Sequence, residues 1–166
     1  MGSQRKVDSA PLKQDHGFKI GLSFRQYDGP THVDAESSAP PDFVTDMAHI
    51  LVVDDESLLL TLLANILEDE GYDVETASNG ADALACARAC SPSLIITDFM
   101  MPVMTGLDLA RAIRIDAQMG NVPMMLVSGA QTEIGRCHPD LFQAVVDKPY
   151  ESETLLTEVR RLLLNR

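Results

Sequence analysis

Residues 94–106 read Leu94-Ile95-Ile96-Thr97-Asp98-Phe99-Met100-Met101-Pro102-Val103-Met104-Thr105-Gly106. Leu94–Thr97 is a short apolar and β-branched run without polar alternation, the pattern of a strand buried on both faces. It stops at a carboxylate, Asp98. Met101-Pro102 opens a loop, Gly106 precedes a helical stretch over Leu107–Gln118, and Gly120-Asn121 closes that helix. A continuous apolar strand feeding a helix is half of a parallel βαβ unit, so this stretch directs the fold toward the α/β class.

The alternation repeats on both sides. Upstream, His49–Val53 is a second β-branched run, ending in Asp54-Asp55-Glu56. Leu59, Leu62, Leu63, Ile66 and Leu67 then recur at helical spacing until Gly71 stops the helix. Asp73–Ala77 alternates weakly, as a strand near a sheet edge does. Asn79-Gly80 marks a turn, and Ala81–Cys90 is an Ala-rich helix closed by Ser91-Pro92. Downstream, Met124–Val127 is a strand ending at Ser128-Gly129. Residues 131–142 make a poor helix, interrupted by Gly135 and Pro139. Ala144–Val146 is a short strand ending at Asp147-Lys148-Pro149, and Leu155, Val159, Leu162 and Leu163 share one face of a last helix. Five strand–helix units with right-handed crossovers predict a doubly wound, five-stranded parallel sheet of flavodoxin-like order 2-1-3-4-5, with helices on both faces.

Residues 1–46 differ. Their few large apolar residues follow no sustained period among scattered Gly, Pro, Ser and Asp, so they cannot offset their ordering entropy by burial. We expect a disordered tail or linker over 1–46 and a folded domain over 47–166. Of the net charge of −12, the tail carries −2 and the domain −10. That balance excludes a nucleic-acid groove, which needs clustered Lys and Arg. No apolar run approaches the ~20 residues of a membrane span, and no secretory signal is visible, so a cytoplasmic protein without membrane association is expected. Cys86, Cys90 and Cys137 lack framework or metal-ligand spacing and are expected as reduced thiols. His49, at a strand start, is expected to be structural.

In a doubly wound sheet, ligands bind beyond the carboxyl ends of the strands. Those ends carry Asp54, Asp55 and Glu56 on the first strand, Asp98 on the third, Ser128 on the fourth and Lys148 on the fifth. Three close aspartates repel one another unless a cation relieves them. Mg²⁺ suits such a site, since it takes one or two carboxylates with waters and phosphate oxygens. A carboxylate there can act as a nucleophile toward an activated phosphoryl group. Lys148 would clamp the transferring group, and the Ser128 hydroxyl would donate a hydrogen bond to it. Lys148 is the single lysine from residue 47 onward, the other seven basic residues being arginine.

Four motifs stand in order at successive strand ends: Val52-Val53-Asp54-Asp55-Glu56, Thr97-Asp98 through Gly106, Leu126-Val127-Ser128-Gly129-Ala130, and Val146-Asp147-Lys148-Pro149-Tyr150. With these spacings, residues 48–165 resemble the receiver domain of two-component response regulators, in a stand-alone, chemotaxis-type single-domain architecture. The resemblance implies Asp98 as phosphoacceptor and Asp98 and Asp55 as Mg²⁺ ligands, with Asp54 acting mainly through water and the Met100 carbonyl completing the site. It implies Ser128 as switch hydroxyl, Lys148 as phosphoryl partner and a cis Lys148-Pro149 bond. The implied partners are a sensor histidine kinase or histidine phosphotransfer protein and a downstream protein target. The implied activity is a phosphorylation-dependent signalling switch, not an enzyme beyond self-catalysed phosphoryl transfer and slow autodephosphorylation. In receivers, the side chains two after the acceptor and two after the hydroxyl flank the hydrolytic water. Here they are Met100 and Ala130, neither able to orient a water.

One departure concerns output. Receivers usually carry an aromatic switch residue three before the lysine, and that position is Val145. This leaves a second reading, a degenerate receiver that binds proteins without being phosphorylated. A third, a phosphohydrolase of the haloacid-dehalogenase type, is disfavoured because that class expects Asp-x-Asp after its first strand, whereas Asp54 and Asp55 are adjacent. The expectation is a stand-alone receiver or a fragment of a larger protein.

Overall fold

A computed structural model of the chain describes residues 47–165; the expected tail over 1–46 lies outside the described residues. Five strands form one parallel sheet: β1 (His49–Val53), β2 (Asp73–Ala77), β3 (Leu94–Thr97), β4 (Met124–Ser128) and β5 (Ala144–Asp147). Their order is β2-β1-β3-β4-β5, as the sequence predicts. The connecting helices are α1 (Ser57–Asp69), α2 (Gly80–Cys90), α3 (Gly106–Ile115), α4 (Thr132–Arg136) and α5 (Ser152–Leu164).

The apolar runs divide between two cores because successive strand side chains point to opposite faces. Leu51, Val53, Ile95, Met124 and Leu126 pack against Ala83 and Ala87 of α2 and Leu109, Ala110 and Ile113 of α3. Ile50, Val52, Leu94, Ile96, Met125 and Val127 pack against Leu63 and Leu67 of α1 and Leu155, Val159 and Leu162 of α5. Burying such side chains stabilises the fold by about 1.5–3 kcal/mol each. No helix among the described residues is long and apolar enough to cross a membrane.

Three expectations need correction. The inward face of α1 is Leu63, Ala64 and Leu67, whereas Leu62, placed on the apolar stripe, is 53% exposed. Leucines fill five of the first seven positions of that helix, so periodicity could not single out one face. Helix α3 ends at Ile115 rather than Gln118. Asp116 turns extended, and its Oδ1 accepts the Gln118 N–H at 3.0 Å, a local bond that competes with helix continuation. The poor helix within 131–142 is reduced to the five residues of α4, ending before His138-Pro139, where proline disfavours helical geometry in the residue before it.

Other features sit as expected. His49 Nδ1 lies 2.7 Å from Asp73 Oδ2 at the start of β1 and β2. The three cysteines are free thiols. Cys86 and Cys90 Sγ are 3.9 Å apart on α2, and burial, with Cys86 beside it, pushes the Cys90 thiol up to about 11, which disfavours its thiolate form. One tie has no signature in the sequence. Arg114, at the end of α3, donates to the carbonyls of Asp140, Gly120, Val122 and Leu141 and to Gln143 Oε1, at 2.6–3.2 Å. It fastens the α3–β4 and α4–β5 connections at the edge of the sheet opposite the carboxyl ends.

Candidate functional site

The carboxyl ends of β1 and β3 lie side by side because the strands pair in register, Val53 opposite Thr97. The next residue of each strand is anchored through its backbone: Asp54 N–H donates to Ala77 O at 3.2 Å, and Asp98 N–H to Val53 O at 2.8 Å. Both aspartates therefore leave the sheet at the same level. Asp54 is 6% exposed and Asp98 9%.

Lys148, just beyond β5, reaches across this edge. Its Nζ donates to Asp54 Oδ2 at 2.7 Å and to Asp98 Oδ1 at 2.9 Å. The remaining carboxylate oxygens are held by backbone donors. Glu56 N–H donates to Asp54 Oδ1 at 2.9 Å, and Met100 N–H to Asp98 Oδ2 at 2.5 Å. Burial pulls the Lys148 pKa down, but the hydrogen bonds to Asp54 and Asp98 outweigh it and the net shift is upward. The lysine is thus a fixed cation. Its backbone N–H donates to Ser128 O at 2.9 Å, which ties the end of β4 to the lysine, and Ser128 is 2% exposed. The Lys148-Pro149 bond is cis.

The loop after Asp98 is folded back tightly. Gly106 N–H donates to Phe99 O at 3.0 Å, and a Cβ on Gly106 would lie 2.1 Å from Asp98 O, so only glycine fits there. Thr97 Oγ1 donates to the same Asp98 carbonyl at 2.9 Å. Thr105 caps α3, accepting Asp108 N–H at 3.2 Å. Val103, at the tip, has φ 68, inside a turn closed by Met104 N–H to Pro102 O at 2.7 Å. Asp55, next to Asp54, and Met100, two residues beyond Asp98, are exposed.

Asp54, Asp98 and Lys148 are therefore in direct contact, and Ser128 is joined to Lys148 through the backbone, while Asp55 and Met100 are near them in sequence and exposed. Sequence reasoning missed the backbone donors of Glu56 and Met100, which carry no side-chain signature, and the Thr97 hydroxyl. Among the described residues, no three His, Cys, Asp or Glu side chains are grouped to hold a metal ion by themselves. The carboxylates and backbone carbonyls at this edge are hard oxygen donors, and the acidic side chains Asp54, Asp55 and Asp98 outnumber the one cation Lys148. Such a set fits Mg²⁺, which needs only one or two carboxylates with waters and phosphate oxygens.

An open parallel sheet of this order, with acids and one lysine across its carboxyl edge, is the arrangement expected of a receiver module. The family model of the response regulator receiver domain matches residues 50–160, and the chain belongs to that family. Protein PilH of Pseudomonas aeruginosa is 32% identical over 119 residues, covering 70% of this chain and 98% of PilH. The transcriptional regulatory protein CpxR homolog of Haemophilus influenzae is 34% identical over 119 residues, covering 70% of this chain and 51% of its own length. The chain therefore spans about half of that relative, and nearly all of PilH. Among solved structures, the chemotaxis response regulator CheY4 of Vibrio cholerae aligns with a TM-score of 0.65 at 34% identity, over 70% of this chain and 99% of CheY4. The receiver domain of sensor histidine kinase PA1611 from Pseudomonas aeruginosa aligns with a TM-score of 0.65 at 24% identity, over 70% and 97%, and was solved with a magnesium ion coordinated in its active site cleft.

Proposed function

We propose that Asp98 accepts a phosphoryl group from the phosphohistidine of a sensor kinase or histidine phosphotransfer protein, making this cytoplasmic chain a phosphorylation-dependent switch toward a downstream protein. The observation that carries this reading is the Asp54–Lys148–Asp98 bridge, two nearly buried carboxylates held by one ammonium at the carboxyl edge of the sheet.

In the transfer, an Asp98 carboxylate oxygen attacks phosphorus, the phosphorus–nitrogen bond of the donor breaks, and the electron pair leaves with the imidazole. Asp98 Oδ1 faces Lys148, while the Met100 N–H holds Oδ2 and fixes the carboxylate plane. The ammonium then clamps an oxygen of the arriving group, a role suited to a compact point charge. Ser128 supplies a neutral hydroxyl donor from β4. Asp55, Asp98 and the Met100 carbonyl would hold Mg²⁺, with Asp54 acting through water. Bound there, Mg²⁺ would neutralise charge on the phosphoryl oxygens. The chain is a signalling module, and its own chemistry is limited to this transfer and a slow hydrolysis of the product.

Incubation with a small-molecule phosphodonor, with and without Mg²⁺, separates the alternatives. A Mg²⁺-dependent, stable acyl-phosphate supports the reading. An unlabelled protein would make it a non-phosphorylated binding module, and continuous turnover a phosphohydrolase.

A further inference from the structure

A second polar network lies on the α4 side of the same strand ends. Ser128 and Asp147 are register partners on β4 and β5. Beyond Ser128 and a short connection over 129–131, the chain enters α4 at Thr132, a buried threonine. One turn later, Arg136 donates to Thr132 Oγ1 at 3.2 Å, to Glu133 Oε1 at 2.8 Å and to Asp147 Oδ2 at 2.5 Å. The Thr132 hydroxyl and the Arg136 guanidinium together hold the Asp147 carboxyl below its usual range. A helix of five residues has no stability of its own, so these contacts and its packing decide whether α4 stays formed.

The packing also holds α4 close to the sheet. A Cβ on Gly135 would lie 2.4 Å from Leu126 Cδ2 and 3.1 Å from Val145 Cγ2. The backbone of α4 thus lies closely against the side chains of Leu126 and Val145.

We propose that Arg136 and Asp147 form an ion-pair latch that couples Ser128 to α4 in place of an aromatic switch. The inference rests on Asp98 being the phosphoacceptor. When Ser128 moves toward a phosphoryl group on Asp98, residues 129–131 draw Thr132 with them. Thr132 then leaves Arg136, and the contact with Asp147, the register partner of Ser128, opens. Helix α4 is left held mainly by Gly135. The pair is partly exposed, 42% at Arg136 and 59% at Asp147, so it is a light latch. A pair of this kind shifts the opening equilibrium by no more than about fivefold.

The test is hydrogen exchange of residues 132–137 in the full chain, with Mg²⁺ alone and with Mg²⁺ plus beryllium fluoride as phosphoryl mimic. Labelling of Asp98 by a phosphodonor is measured in parallel. In the wild type, the mimic should accelerate exchange at α4 by roughly two- to fivefold. Arg136→Met and Asp147→Asn should raise exchange without the mimic by a similar factor and largely abolish the response, while Asp98 still labels. Arg136→Lys should restore part of the response, and salt should accelerate exchange in the wild type but not in Arg136→Met. A wild type that labels at Asp98 without any change at α4 would overturn the latch, as would a full response in Arg136→Met. Absence of labelling at Asp98 would overturn the phosphoacceptor reading and the latch with it.

Discussion

Replacing Asp98 by asparagine is expected to make the domain more stable while removing its chemistry. Asp54 and Asp98 contact the same Lys148 nitrogen at 2.7 and 2.9 Å, which puts their carboxylate oxygens within about 6 Å of each other. At about 5 Å, with an effective dielectric between 20 and 80, their repulsion is roughly 1–3 kcal/mol. Asp98 also carries a desolvation cost at 9% exposure. Asparagine removes both penalties. It loses the charge attraction to Lys148 and one acceptor, because its single carbonyl oxygen can take Lys148 or the Met100 N–H but not both, while Lys148 keeps Asp54 as counter-ion. Relief of desolvation and repulsion slightly outweighs these losses, so we predict a net stabilisation of about 1 kcal/mol or less, a rise in Tm of roughly 1–5 °C for a domain of this size. Mg²⁺ should raise the Tm of the wild type, by an amount equivalent to about 1.4 kcal/mol at ten times its Kd, and should do so much less in Asp98→Asn. Differential scanning calorimetry with EDTA and with Mg²⁺ reads both effects. A lower Tm in Asp98→Asn without metal, or an undiminished Mg²⁺ shift, would refute the reasoning.

Other residues carry three more expected outcomes. Arg114→Met should lower stability by about 2–3 kcal/mol, because the hydrogen bonds of one guanidinium are lost and their acceptors lie partly beyond the reach of water; urea unfolding should show the midpoint falling by about 1 M or more. Val103→Asn should stabilise by about 0.5–1 kcal/mol in the same assay, since valine at φ 68 is strained and its side chain is almost fully exposed. Met100→Asn combined with Ala130→Glu should shorten the lifetime of the phosphorylated protein by on the order of tenfold, because a water can then be held in line with the phosphorus; equal decay of wild type and double variant would remove these positions from control of hydrolysis.

The parts of the fold legible in the sequence are those with a period to read. β1, β3 and β4 are unbroken apolar runs, and their ends locate Asp54, Asp98 and Ser128. Side-chain identity also locates Lys148, whose type is unique in the folded region. The hidden parts depend on backbone groups or on competition between local and tertiary bonds. Nothing in the residue types of Glu56 or Met100 announces that their N–H groups hold the two carboxylates. The early end of α3 hangs on the Asp116 side chain turning back to Gln118. The inward face of α1 is obscured because leucine occupies both its buried and exposed sides. In the sequence, Gly135 and Pro139 read only as interruptions of a helix, whereas Gly135 is what lets α4 lie against Leu126 and Val145.

The central claim is that a phosphoryl group resides on Asp98. The direct measurement is to phosphorylate the full chain in Mg²⁺, trap the acyl-phosphate by borohydride reduction, and map the modified residue by mass spectrometry. The account predicts one product, homoserine at position 98, formed only with Mg²⁺ and absent from Asp98→Asn. Modification at Asp54 or Asp55, or undiminished labelling of Asp98→Asn, would contradict it.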